Sequence, residues 1–142
     1  MKRRLTAIGF FLGLSALAGQ ASAQNFGFGG GYPMQTGEGL YKGVCQGCHM
    51  PDAKGARGAG AYPALAGDPR LAGKAYPAIV VLRGQKAMPA FGPSFTDAQV
   101  AAVVTYVRTH FGNSYKDVTT PEEVKVLRAA VLPKSLSGRP PG

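Results

Sequence analysis

The 142-residue chain has no tryptophan, two cysteines, two histidines, and seven acidic residues against 16 Lys and Arg. Two cysteines cannot staple a disulfide-dense scaffold. The few carboxylates form no paired-acid motif, and no Ser/His/Asp set is visible. Gly27 to Gly31 are followed by no lysine and no strand-to-helix pattern, so they make no phosphate loop. Beyond the first two dozen residues no apolar run is long enough to span a bilayer, which needs about 20 residues. Glycine and proline are abundant: 21 and 11, together 32 of 142, about twice the ordinary share of roughly 12%. The glycines keep no period of three, which excludes a collagen-like chain. The composition argues against long uninterrupted helices. It favours short elements joined by turns, with something besides side chains filling the middle. A hydrophobic content of 45% excludes a wholly disordered chain, and the length suits one domain.

Lys2, Arg3 and Arg4 precede a mostly apolar stretch from Leu5 to Ala18, and Ala21-Ser22-Ala23 is a small-residue cleavage site. This is the pattern of a secretory signal peptide over residues 1–23. A retained anchor is the alternative, for which the apolar stretch is short. The residues after Arg3-Arg4 fit a twin-arginine signal poorly, so the general secretory route is expected. Cleavage after Ala23 leaves 119 residues, and removing three basic residues takes the net charge from +9 to +6. The expected location is the periplasm.

Both cysteines lie in Cys45-Gln46-Gly47-Cys48-His49. This is the spacing of a c-type haem attachment site. Three residues apart on a helical turn, two thiols share one side and can each add to a haem vinyl group, while the next residue, His49, projects toward the iron. A disulfide across so small a loop would constrain little chain entropy. A redox dithiol would need a βαβ pattern around it, and zinc would need about four ligands. The only other histidine is His110, 61 residues away.

The rest of the chain divides around this motif. Residues 24–34 read as a flexible Gly/Phe-rich arm, with Phe26 and Phe28 out of any period. A helix is expected over 37–48, with Thr36 as its cap and Gly37, Tyr41 and Cys45 on one face. Residues 50–69 read as loop. A short helix follows over 76–82, with Pro77 in its first turn and Gly84 at its end. Residues 85–94 are loop and carry Met88-Pro89-Ala90-Phe91. Thr96 and Gln99 form a capping box ahead of Val100, Val103, Val104, Val107 and Phe111 at helical spacing, with Gly112 as the stop. Thr120-Pro121-Glu122-Glu123 is a second capping box, before the stripe Val124, Leu127 and Val131. The tail, 133–142, reads as disordered.

An iron held by His49 has a second axial position. Met34, Met50, Met88 and His110 are the candidates, or the face is open. Met50 adjoins His49 and cannot reach the far side. Met34 lies next to the arm. His110 ends a helix, where a histidine interacts favourably with terminal carbonyls. Met88 sits in a loop 39 residues after His49, and Pro89 keeps its backbone extended, so Met88 is the expected ligand. The ordinary use of a methionine is core filler.

Cys45-Gln46-Gly47-Cys48-His49, then Tyr62-Pro63-Ala64-Leu65-Ala66-Gly67, then Met88-Pro89-Ala90-Phe91, then a Val/Tyr-patterned helix resembles a class I cytochrome c over residues 35–112. The resemblance implies an all-α fold of short helices and long loops wrapped around one covalent haem c, with the first and last core helices crossing. Residues 113–132 would then be an extension with an extra helix. Gly37 and Tyr41 would pack against Val103 and Tyr106. The Pro63 carbonyl would take the His49 Nδ1 proton, a contact that fixes the imidazole tautomer. Leu65 and Phe91 would line the haem pocket. For the haem propionates, Arg83 and Lys86 are candidates.

His/Met ligation would close both axial positions and favour ferrous iron, which suits a one-electron carrier rather than a catalyst. A haem enzyme or gas-binding cytochrome with an open face is the alternative. A four-helix cytochrome would carry its attachment motif near the C-terminus, and here 93 residues follow His49. The stretch from Phe111 through Arg128 is similar to the ends of haem domains in cytochrome subunits of periplasmic dehydrogenases. The expected partners are such a dehydrogenase as donor and a terminal oxidase or another cytochrome as acceptor, with no role for nucleic acid. Lys42, Lys54, Arg57, Lys74, Arg83 and Lys86 lie in sequence near the haem-contacting segments and are candidates for a positive rim.

Overall fold

The structure is a computed structural model and describes residues 31–58 and 60–132. The expected signal peptide, the expected arm up to residue 30 and the expected tail from residue 133 lie outside the described residues, as does residue 59. Among the described residues the fold is all-α apart from one hairpin of two-residue strands.

The first helical run begins at α1 (Gly37–Leu40), where the Thr36 side chain accepts from Gly39 N. It continues through a π-helical stretch (Tyr41–Cys45) and ends in α2 (Gln46–His49). Leu40 and Tyr41, at the junction of α1 with the π-helical stretch, both lie in the core at 0% and 1% exposure. The Tyr41 hydroxyl donates to Met50 O at 2.7 Å, tying the start of the run to its end.

The segment read as loop over 50–69 holds β1 (Ala56–Arg57) paired antiparallel with β2 (Ala61–Tyr62). A 3-10 turn (Pro69–Ala72) follows, with the Asp68 side chain accepting from Arg70 N at its start. Two-residue strands carry too few residues to show an alternation, which is why the sequence reads as loop there. Helix α3 (Ala75–Arg83) is two residues longer than the sequence suggests and stops at Gly84, φ 73°.

Both capping boxes form. Thr96 and Gln99 exchange side-chain and backbone bonds at the start of α4 (Asp97–Thr109), and Thr120 and Glu123 do so at α5 (Pro121–Val131). Helix α4 ends before Phe111, which sits beyond it at φ 60° and still packs on Tyr41, with ring centroids 4.7 Å apart.

The first run crosses α4 at Gly37. A Cβ there would run into the Ala102 carbonyl and lie 2.6 Å from Tyr106 Cβ. Tyr41 meets Tyr106 at 5.8 Å between ring centroids. The contact on Gly37 therefore comes from Ala102 and Tyr106, not from Val103, which turns toward the cavity described below. The end of the arm is not loose: Gln99 Nε2 donates to Tyr32 O and Met34 O at 2.7 and 2.9 Å, and Tyr32 stands edge-on to Phe95.

Two buried arginines fasten the C-terminal segment. Arg108 on α4, 0% exposed, donates to Leu71 O and Ala72 O and pairs with Asp117 at 2.6 Å. Arg128 on α5 pairs with Asp97 at 2.6 Å. Burying a guanidinium is tolerated because its donors find acceptors. One core of Leu40, Tyr41, Leu71, Leu82, Phe95 and the valines of α4 continues into Val124 of α5. Among the described residues no helix is long and apolar enough to cross a membrane.

Candidate haem site

Between the first helical run, the hairpin, α3 and α4 lies a cavity of about 680 Å³, inside the roughly 300–1,000 Å³ of small-molecule sites. Val44, Leu65, Leu71, Val81, Phe91 and Val103 give it apolar walls. Cys45, Cys48 and His49 enter from the first run and Met88 from the loop after α3.

The two thiols are not joined to each other. Burial pushes the Cys45 thiol up to about 11, with Cys48 adding to the effect. His49 is 8% exposed, and its Nδ1 lies 3.0 Å from Pro63 O. A carbonyl can only accept, so Nδ1 carries the proton and Nε2 keeps its lone pair, the form an iron ligand takes.

The loop bearing Pro63 is pinned from three sides. Leu65 N and Ala66 N donate to Ala53 O at 2.7 and 3.0 Å, and Gly67 N donates to Phe111 O. Buried Asn113 accepts from Asp68 N and donates to Leu65 O and Val107 O. Ala53, with φ 57°, makes the sharp return that this geometry needs.

Met88 follows a tight turn in which Gln85 and Met88 exchange backbone bonds of 3.1 and 2.9 Å. Gly84 is required just before it, since a Cβ there would lie 2.6 Å from Met88 O. The other candidate ligands lie elsewhere. Met34 packs on Gly39 and Gly43. His110 is exposed, stacked on Tyr106 at 4.1 Å and bonded to Tyr106 O. Met50 follows His49 at φ 65°. None of these three lines the cavity.

Of the basic candidates, Lys54, Arg57 and Lys86 line the cavity and Arg83 does not. Lys42 and Lys74 are engaged by Glu38 and Glu123, each at 2.6 Å. Arg70 and Tyr76 also line it and carry no sequence signal. Arg70 donates Nε and Nη2 to the Asp68 carboxylate. Burial pushes that carboxyl up, but the bonds from Arg70 outweigh it and hold Asp68 below the usual range. Among the described residues no three His, Cys, Asp or Glu side chains gather as a metal-binding group.

Two thiols and an imidazole with a bare Nε2 at the wall of one apolar cavity suit a covalently attached macrocycle with its iron on His49. Fold and site together define the class: a small c-type cytochrome domain. Residues 33–107 match the family described as cytochrome c oxidase, cbb3-type, subunit III, and the chain belongs to that family of haem-binding domains. It carries covalently bound haem c. It is 37% identical over 109 residues to the fructose dehydrogenase cytochrome subunit of Gluconobacter japonicus, covering 66% of this chain and 22% of that protein. It is 35% identical over 108 residues to the gluconate 2-dehydrogenase cytochrome c subunit of Pantoea cypripedii, covering 66% of this chain and 24% of that protein. The chain thus spans about a quarter or less of the length of these relatives. Among solved structures, the c-type cytochrome XoxG from Methylobacterium extorquens AM1 is similar, with a TM-score of 0.44 and 21% identity over 68% of this chain and 65% of that one. At that distance the family match carries the assignment.

Proposed function

We propose that this protein is a periplasmic one-electron carrier whose haem iron is held between His49 and Met88. It would take electrons from a periplasmic dehydrogenase and pass them toward a terminal oxidase or another cytochrome. The haem, when bound, supplies an iron that gains and loses one electron with little rearrangement. Cys45 and Cys48 fix its place, and Pro63 orients His49. Leu65 and Phe91, apolar residues of the cavity wall, would shield the haem from water. Met88 would be the second side chain to hold the iron, leaving no open position there for a substrate.

The observation that carries this reading is convergence. Of Met34, Met50, Met88 and His110, only Met88 reaches the cavity that Cys45, Cys48 and His49 line. Export rests on the pattern of residues 1–23. The dehydrogenase partner rests on the two relatives, which are cytochrome subunits of such enzymes.

The test is spectroscopic. Oxidised protein should show the weak near-infrared band of iron–thioether bonding, and reduced protein should resist carbon monoxide. Met88→Ala should remove the band, admit carbon monoxide and lower the potential. An unchanged spectrum in Met88→Ala would transfer the role to Met34 or His110.

A further inference from the structure

Helix α5 lies beyond the stretch that matches the family, yet it grips the segment that follows Met88. Arg128, 9% exposed, spreads its guanidinium over three acceptors. Nη1 donates to Gly92 O, Nη2 to Phe95 O at 2.8 Å, and Nε to Asp97 Oδ1 at 2.6 Å. Leu132, just after α5, packs on Gly92, where a Cβ would lie 2.7 Å from Leu132 Cδ1. From the opposite side, Phe91 N and Gly92 N donate to Val81 O and Leu82 O of α3, each at 2.9 Å. Residues 91–95 are therefore clamped between α3 and α5. Met88 is three residues upstream of that clamp. Its own main-chain hold is the pair of bonds to Gln85.

We propose that α5 is a brace for the methionine loop and that Arg128 is its positioning residue, keeping Met88 seated over the cavity. The inference rests on the reading of Met88 as the axial ligand. The chemistry favours arginine at this place. A planar fork can serve two carbonyls and a carboxylate at once, and a lysine ammonium cannot match that geometry. Without the fork, the buried Gly92 and Phe95 carbonyls lose their charged donor. Residues 91–95 then relax toward water. The open-loop population rises, and with it the fraction of protein whose iron is accessible.

The experiment uses the full-length holoprotein. Arg128→Gln and Arg128→Lys are compared with the parent, with Asp97→Asn as a second control and Met88→Ala as the reference for an open iron. Near-infrared absorbance of the oxidised form, carbon monoxide affinity of the reduced form and midpoint potential are read beside thermal melting. Both Arg128 variants should lose part of the near-infrared band and shift in potential toward Met88→Ala. Carbon monoxide should bind them about tenfold more tightly, in proportion to the open fraction. Asp97→Asn keeps both carbonyl bonds, so it should melt earlier yet keep the parent's band and carbon monoxide resistance. Should Arg128→Gln fail to fold, Arg128→Lys carries the comparison. Arg128 variants that melt earlier but retain the parent band, potential and resistance would reduce Arg128 to a stabilising contact and overturn the brace. A Met88→Ala protein with the parent spectrum would instead overturn the ligand assignment, a result separate from either of these.

Discussion

At the residue scale, two glycines of the first helical run make opposite demands. A Cβ on Gly37 would meet the Ala102 backbone and Tyr106 Cβ, neither of which can swing aside. A Cβ on Gly43 would meet Met34 Cε, the end of a flexible side chain that repacks readily. Gly37→Ala should therefore cost about 1–3 kcal/mol or more through overpacking, and Gly43→Ala less than about 1 kcal/mol, as judged by denaturant melts of the two holoproteins. A Gly43→Ala as damaging as Gly37→Ala would mean that Met34 is fixed rather than adaptable. Cys45, Cys48, His49 and Met88, which the structure brings to one cavity, could be picked out because the attachment motif and the Met-Pro pair are local patterns, whereas Pro63 came from the family resemblance alone. The buried arginines could not be picked out. Arg108 and Arg128 each lie four residues after a valine of an apolar stripe, Val104 and Val124, where a helical pattern expects another apolar side chain. What makes arginine acceptable there is a set of carbonyls supplied by distant segments, and no local pattern announces them. Arg70 is missed for the same reason: its place is set by the turn that Asp68 opens.

At the element scale, helix ends were easier to read than helix interiors. Both capping boxes are sequence patterns with a local mechanism, so they form as read. The π stretch over Tyr41–Cys45 escapes a pattern built on regular turns, since it keeps the same residues and changes only the pitch. The attachment of α5 also has an acid limit. Glu123 is held below its ordinary value of 4.5, first by the Lys74 ammonium and then by the Thr120 amide. Asp117 is held below its ordinary 3.8, chiefly by Arg108. A carboxyl lowered by folding adds stability above its unfolded value, and that stability goes as pH falls through the folded value. The Lys74–Glu123 and Arg108–Asp117 contacts that hold α5 and the segment before it should therefore weaken below about pH 4. Amide NMR signals across residues 113–132 should shift or fade first, and Lys74→Met should move that transition to higher pH. Simultaneous loss of all helices would instead assign the acid limit to the core. Thr120→Ala should weaken the same helix by about 1 kcal/mol, read as an earlier thermal transition.

At the scale of the whole molecule, charge is unevenly committed. Lys42 and Lys74 are paired with carboxylates away from the cavity, and Lys54 at its wall is paired with Asp52 at 3.2 Å, whereas Arg57 and Lys86 line the cavity with no carboxylate partner among the described residues. A positive rim there would steer an acidic redox partner and affect encounter more than final affinity. Stopped-flow reduction by a cognate dehydrogenase should slow steeply between about 0.1 and 1 M salt, as the Debye length shrinks from about 10 to 3 Å. Charge reversal at Lys86 or Arg57 should slow it further than reversal at exposed Lys125 on α5. A rate indifferent to salt and to these changes would leave apolar contact at the haem edge as the mode of docking.

The same cavity bears on how the protein comes into being. The cavity opens to water beside Lys54, Arg57 and Lys86, so without its cofactor Val44, Leu65, Leu71, Val81, Phe91 and Val103 would face solvent rather than a packed partner. The polypeptide without its cofactor therefore lacks part of the apolar burial that a small domain depends on, and cofactor attachment should complete its compaction. Cellular levels of this protein would then follow haem supply through turnover, because chains that miss attachment would open more often to proteases.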